Sequence, residues 1–266
     1  MKGIFKKLFC LFLVAAIGIS IAGCGGGKTM ERLEKSGKLV VGTSADYAPY
    51  EYHTIVDGKD TIVGIDILII EEIAKDLGVQ LEIVDMSFDG LLSALNTDKV
   101  DVVIAGMNPD EDRRKAVDFS KIYYEAKQGV LVRAEDKDSI KSIADLSGKK
   151  VGAQLGTTQE KIAREQMKDS TLISLGKIPD LVMELKNKKI DALVVELPVA
   201  NGYVKNNNDL VLTDITVQEE SGGSAIAVKK GNSDLVKLID KSLDRLMADG
   251  SIDKFVMEAN DQNVTK

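Results

Sequence analysis

The stretch GMNPDEDRRKAVDFS, from Gly106 to Ser120, sets two arginines side by side. Asn108 followed by Pro109, with Asp110, Glu111 and Asp112 behind them, is the pattern of a helix start: a capping amide, a proline at the first helical position and acids in the first turn. Neighbouring side chains on a helix diverge by about 100°, so Arg113 and Arg114 cannot share a direction. A guanidinium directed into a cleft can clamp a carboxylate through two parallel hydrogen bonds. One on a solvated face only pairs with Asp110 or Glu111 at helical spacing, worth about 0.2–0.5 kcal/mol. Gly106 and Asn108 stand where the preceding strand, VDVVIAG, ends, so their backbone and amide groups are open to a ligand, and Arg113 lies within reach of the same cleft; Arg114 is then the surface residue. A second anion site is written in QLGTTQE, where the backbone N–H groups of Thr157 and Thr158 open a helix. Thr157 and Glu160 also have the spacing of a capping box, and the two roles are compatible. Other chemistries are excluded: His53 is the only histidine, which rules out a histidine-based triad or a His-rich metal site, and no glycine fingerprint for a dinucleotide or a phosphate loop is present. No cofactor and no metal is expected.

The elements that must position these residues follow from hydrophobic periodicity. KLVVGTS reads as a short buried strand and GIDILIIEEIAKDLG as a helix with Ile69, Ile70, Ile73 and Leu77 on one face and Gly78 as its stop. VQLEIVDM is a strand, FDGLLSALNTD a helix and VDVVIAG a strand; the helix of residues 108 onward follows, then the strand KQGVLVRA. The alternation continues through KKVGAQLG, TTQEKIAREQMKD, STLISL, IPDLVMELKNKK, DALVVEL and PVANGYVKNN to a late strand, GSAIAVKK. Two helices close the chain, the first with Leu235, Leu238, Ile239, Leu243 and Leu246 on a face. Strand–helix alternation of this kind predicts an α/β fold with mostly parallel sheets, and in such sheets ligands sit in loops beyond the carboxyl ends of the strands. Those loops are GTSADYAPYEY, DMSFDGLL, AGMNPDEDR and QLGTTQE, with VVELPVA beside them.

The amino terminus is a separate matter. MKGIFKKLFCLFLVAAIGISIAGC has three early lysines, an apolar run from Leu8 to Gly23 and small residues at its end, the layout of a secretory signal peptide. The run falls short of the roughly 20 residues of a membrane span. IAGC, Ile21 to Cys24, resembles the lipobox of bacterial lipoproteins, in which cleavage precedes a cysteine that carries lipid; palmitate on Cys24 is the corresponding expectation. Residues 1–23 are then a leader and 24–29 a tether, GGGKT suiting a flexible segment. Cys10 lies in the leader, so the mature chain holds no intramolecular disulfide. Removing Lys2, Lys6 and Lys7, and no acid, leaves 32 basic against 42 acidic residues, net −10. That balance argues against nucleic acid and against electrostatic attachment to anionic lipid.

VGTSADYAPYEY, IVGIDILIIEEIAKDLGVQLEIVDMSFDGLLSAL, VDVVIAGMNPDEDRRKAVDFSKIYYEA and VGAQLGTTQE, in that order and spacing, resemble the extracytoplasmic solute-binding proteins of polar amino acid ABC importers, family 3 of the bacterial solute-binding proteins. The resemblance runs from about Met30 to Glu258. It implies a two-lobed periplasmic-binding-protein-like fold (type II), each lobe a mixed, mostly parallel sheet flanked by helices. The lobes would be residues 30–126 with 223–266, and residues 127–222, joined by two hinge strands near YEAKQG and SGGSAIAV. It further implies that Arg113 grips the ligand's α-carboxylate, helped by Gly106 and Asn108 and, from the other lobe, by the amides of Thr157 and Thr158. Glu196 stands where the family usually has the Asp that receives the α-ammonium, keeping the charge with one more methylene. Tyr47 and Phe88 match the family's aromatic walls; Ser44, Asp46 and Gln128 complete the candidate set.

Two aromatic faces favour a long aliphatic stem or a flat cation, and Glu51, with Asp46, can neutralise a basic side chain. The ligand expected is a free basic L-amino acid, arginine or lysine, with glutamine and then cystine as alternatives; Ser44 replaces an Asp found in many lysine–arginine–ornithine receptors. The implied partners are the permease and ATPase of an ABC transporter, with the receptor a monomer held on the extracytoplasmic face of the cell membrane by its lipid, or in the periplasm where an outer membrane exists. An enzyme is the alternative of a different class. Cyclohexadienyl dehydratases share this fold, and a pocket carboxylate such as Glu196 could serve as general acid, but no nucleophile–base pair accompanies it, so a non-enzymatic receptor is expected.

Overall fold

The computed structural model describes residues 27–125 and 127–264. Cys10, Cys24 and the expected leader lie outside them. In chain order the helices are α1 (Gly27–Ser36), α2 (Ile65–Leu77), α3 (Leu91–Asn96), α4 (Glu111–Ala116), α5 (Thr158–Gln166), α6 (Ile178–Lys186), α7 (Leu197–Asn206), α8 (Ser233–Ala248) and α9 (Ser251–Val264). The strands are β1 (Lys38–Thr43), β2 (Asp46–Tyr47), β3 (Glu51–Val56), β4 (Lys59–Val63), β5 (Gln80–Asp85), β6 (Val102–Val103), β7 (Val117–Tyr124), β8 (Gln128–Arg133), β9 (Lys150–Gln154), β10 (Thr171–Leu175), β11 (Ala192–Glu196), β12 (Leu210–Leu212) and β13 (Ser224–Lys229). Among the described residues no helix is long and apolar enough to cross a membrane.

Two five-stranded sheets carry the fold, ordered β5-β1-β6-β13-β7 and β10-β9-β11-β8-β12. In the first, β5, β1 and β6 pair in parallel, while β13 runs against both β6 and β7. In the second, β10, β9 and β11 are parallel and β8 opposes β11 and β12. Each sheet thus has four strands pointing one way and one reversed, the mixed, mostly parallel arrangement expected of the alternating pattern. The reversed strand is where the chain changes sheets: it leaves the first lobe after β7 to enter β8, and returns after β12 to enter β13. The chain passes from one sheet to the other between Tyr124 and Gln128, and back between Leu212 and Ser224.

Local chemistry explains the elements around the cleft. Ile65, Ile69, Ile70 and Ile73 of α2 are fully buried while its outer face is charged, and Gly78 ends the helix at φ 68°, a left-handed cap that glycine reaches without a Cβ clash. In α8, Leu235, Ile239, Leu243 and Leu246 are buried, but Leu238, expected on that face, is 36 % exposed; it sits at the stripe's edge, off the line through 235, 239 and 246. Three further expectations need correction. The helix expected from Asn108 begins two residues later: Asp110 is its cap, its Oδ1 accepting the Arg113 N–H at 2.8 Å. VDFSKIYY, given no element of its own from the sequence, is strand β7. Gly27–Thr29, expected in a flexible tether, form the first turn of α1, with Thr29 buried.

Candidate functional site

The cavity lies between the lobes, where β1 and β6 of one sheet and β9 and β11 of the other end. Ser44, Asp46, Tyr47, Glu51, Phe88, Ala105, Gly106 and Asn108 line it from the first lobe, Gln154, Thr157 and Gln159 from the second; the room it leaves for a water-sized molecule is about 10 Å³. The loops holding these residues are braced from behind. Gly106 has φ 52°, and a Cβ there would lie 3.2 Å from the Tyr47 ring; the residue is glycine both for its backbone and for the aromatic face against it. Tyr47 stacks on Tyr50 with ring centres 5.5 Å apart.

Arg113 is 8 % exposed. Its Nη1 donates to the Asn108 carbonyl at 2.7 Å and its Nη2 to the Gly156 carbonyl, in the other lobe, at 2.9 Å. The guanidinium stands 5.2 Å over the Phe88 ring. Burial works against its charge, and Asp110, 3.8 Å from Nε, works for it. Arg114 is exposed and turned away, donating from Nε to the Pro109 carbonyl at 2.7 Å and lying over Phe119. The two arginines therefore diverge, one into the cleft and one out of it.

The second lobe contributes Glu196, at the end of β11 and fully buried. Its Oε1 accepts from Asn108 Nδ2 and from Gln128 Nε2, each at 3.2 Å. Burial raises its pKa to about 7, with the Tyr50, Asn108 and Gln128 donors opposing that rise. Thr157 caps α5, its Oγ1 accepting the Glu160 N–H at 3.2 Å; Glu160 reaches back to the Gly156 N–H at 2.8 Å, one residue beyond the reciprocal partner of an ideal capping box. Thr158 follows as the first residue of α5, buried, with an Oγ1 that has no hydrogen-bond partner.

Acids crowd the floor. Burial lifts Asp46 to about 6 although Gln154 and Lys177 act against it; Ser44 and Gln154 each lie 3.4 Å from its Oδ1. Glu51 is fully buried, and burial with the neighbouring Asp66, Asp46 and Glu196 carries its pKa well above the usual carboxylate range. Asp66, at the start of α2, accepts from the Gly106 N–H at 2.7 Å and the Tyr123 hydroxyl at 2.9 Å, and burial raises it to about 7.

The candidate residues are thus brought together: eight line the cavity, and Arg113, Gln128, Thr158 and Glu196 surround it. Sequence reasoning passed over Gln154, Gln159 and Asp66. Gln159 donates to Tyr47 Oη at 3.2 Å and Gln128 Oε1 at 2.9 Å. Its signal was its place in the first turn of α5, directly after the two threonines; Asp66 showed only as an acid in the first turn of an apolar helix. Among the described residues no cluster of potential metal ligands exists.

Two mixed α/β lobes, two chain crossings and a buried, charged cavity between strand ends define a two-lobed ligand-binding protein with its site between the lobes. Residues 39–258 match the bacterial extracellular solute-binding proteins, family 3, and the chain belongs to that family. It is 39 % identical over 255 residues to the arginine-binding extracellular protein ArtP of Bacillus subtilis, covering 94 % of this chain and 96 % of that one. It is 34 % identical over 258 residues to a probable histidine-binding protein of Campylobacter jejuni, covering 94 % and 97 %. Among solved structures, the amino acid ABC transporter substrate-binding protein AbpA of Streptococcus pneumoniae bound to L-arginine matches with a TM-score of 0.86 at 40 % identity, over 89 % of this chain and 100 % of that one.

Proposed function

We propose that this chain is the receptor subunit of an amino acid ABC importer and that its cargo is a basic amino acid, arginine before lysine. The observation that carries the ligand class is the charge inventory of the cavity. Asp46 and Glu51 line the cavity and Glu196 and Asp66 are buried beside it, whereas the cations near them are Arg113, whose charged partner is Asp110, and Lys177, which acts on Asp46. A zwitterion pairs its carboxylate with Arg113 and its ammonium with Glu196, and leaves Asp46, Glu51 and Asp66, whose protons burial retains, with no ligand group to ionise them. A ligand with a second positive charge supplies that group. The likeness to arginine-binding ArtP and to arginine-bound AbpA supports the same reading.

In this reading Arg113 and the amides of Thr157 and Thr158 hold the α-carboxylate, with Gly106 and Asn108 assisting. Glu196 takes the α-ammonium, and Tyr47 and Phe88 flank the side chain, whose charge meets Glu51 and Asp46. Residues 30–126 with 223–266 form one lobe and 127–222 the other. A permease and ATPase receive the cargo, and the receptor works as a monomer that performs no chemistry on it. A thermal-shift screen of the twenty amino acids with ornithine and cystine tests the ligand. Arginine is expected to give the largest rise, since a ligand confined to the folded state adds about 2.7 kcal/mol at 100 times its dissociation constant. A rise with glutamine or cystine and none with arginine refutes the basic-ligand reading.

The IAGC motif supports lipid attachment at Cys24 on the outer face of the cytoplasmic membrane. Each buried methylene of an acyl chain adds about 0.8 kcal/mol of membrane affinity. Cys24→Ala in the native host is expected to leave the membrane fraction; retention equal to wild type refutes the anchor.

A further inference from the structure

Glu51 and Asp66 are both fully buried and sit against one another beneath the cavity floor. Asp66 is held from three sides: by α2, on which it lies, by the Gly106 N–H and by the Tyr123 hydroxyl. Glu51 lines the cavity, yet neither of its carboxyl oxygens has a donor within hydrogen-bond geometry. Ionised carboxylates only accept, so as a doubly charged pair the two would face each other with no hydrogen bond between them. With one proton between them, the contact becomes a hydrogen bond and the pair carries a single charge, the usual solution for two carboxyl groups confined together.

We propose that Glu51 and Asp66 share one proton in the unloaded receptor and that a cargo side chain bearing positive charge displaces it, making Asp66 a charge-selecting residue that never touches the cargo. In outline, a carboxylic acid hydrogen-bonded to a carboxylate, on receiving the cationic side chain, becomes two carboxylates paired with that cation, and the proton passes to solvent. The other groups facing the pair do not supply the missing charge. Asp46 on β2 and Glu196 on β11 are acids that raise the Glu51 pKa further, and Tyr47 and Tyr123 are phenols held neutral by burial. Arg113 is engaged with the Asn108 and Gly156 carbonyls. The shared proton belongs to the pair rather than to either residue. This proposal rests on the basic-ligand reading above.

The test is calorimetric titration of the full chain near pH 7 in buffers of different ionisation enthalpy, which counts protons exchanged. Citrulline, its uncharged isostere, reports the proton that the α-ammonium displaces from Glu196, and arginine is expected to release about one proton per site more than citrulline does. In Glu51→Gln and in Asp66→Asn the amide donates to the remaining carboxylate, so the proton release with arginine is expected to fall to the citrulline level in both; two variants guard against one failing to fold. Arginine binding to wild type without proton release overturns the proposal and leaves the basic-ligand reading standing. Equal release with citrulline, or an excess over citrulline that persists in both variants, also overturns it, the latter assigning the proton to Asp46. Failure of arginine to bind wild type overturns the basic-ligand reading and this proposal together.

Discussion

The guanidinium of Arg113, fixed by α4 in one lobe, ends 2.9 Å from the Gly156 carbonyl in the other. A side chain that reaches across the cleft while buried over Phe88 has given up hydration on the strength of partners from both sides. Replacing Arg113 by Ala is therefore expected to weaken arginine binding by about 2–5 kcal/mol, or at least 30-fold, the usual cost of truncating one partner of a desolvated charge pair. Arg114→Ala, which removes only an exposed contact, is expected to change it by less than about 1 kcal/mol. Calorimetry on the two variants decides between them; similar losses would sink the assignment.

Stability should depend on pH in an unusual direction. Asp46 holds its proton to about 6 and Asp66 and Glu196 theirs to about 7, whereas in the unfolded chain such acids titrate near 4. Between these values the folded protein binds more protons than the unfolded one. The ligand-free protein accordingly loses stability as pH rises from about 4, by about 1.4 kcal/mol per pH unit for each group, Asp46 contributing up to about 6 and Asp66 and Glu196 up to about 7. His53, whose pKa is raised chiefly by its hydrogen bond to Asp85, acts in the same sense. Melting curves should show a lower midpoint at pH 7.5 than at pH 5, and saturating arginine should narrow the gap. A higher ligand-free midpoint at pH 7.5 would contradict the account.

The cleft should close on loading. Arg113 draws on one lobe and the α5 amides with Glu196 on the other, so the contacts proposed for the cargo are complete only when the lobes meet. Moving a receptor from mostly open to mostly closed takes on the order of 5 kcal/mol of preference for the closed state, within reach of two charge-assisted clusters out of water. Small-angle scattering should show a smaller radius of gyration with arginine. An unchanged value, with the empty protein more extended than the closed form, would refute the mechanism.

Much of this was legible beforehand because it rests on local pattern. The four-residue stripe of α2 and its glycine stop, the threonine cap of α5 and the strand–helix alternation are each set by neighbours in sequence. Strand β7 was not, because Val117, Phe119 and Tyr123 follow a helix cap and their alternation is broken by the exposed Lys121. The β3–β4 hairpin carried a readable sign that went unused: Asp57 and Gly58, both at positive φ, between two β-branched runs. Within the site, the types of Arg113 and Glu196 gave direction, whereas Gln159 and Asp66 are ordinary helix-start residues in sequence. What makes them part of the site is the arrival of Tyr47 and Gln128 beside one, across 112 and 31 positions of chain, and of Tyr123 beside the other, across 57.

The bond from Gln159 to Tyr47 joins the lobes without engaging the acids that discriminate between cargoes. A contact of this kind lowers the free energy of the shut receptor by the same amount whichever amino acid is inside. It sets how large a fraction of molecules stands ready to hold cargo, and apparent affinity for every ligand scales with that fraction. Selectivity and avidity are thus governed by different residues. A lineage could retune this receptor for scarce or abundant nutrient by altering Gln159 or Tyr47's hydroxyl, while the order in which it ranks amino acids stayed fixed by Glu51, Asp46 and Asp66.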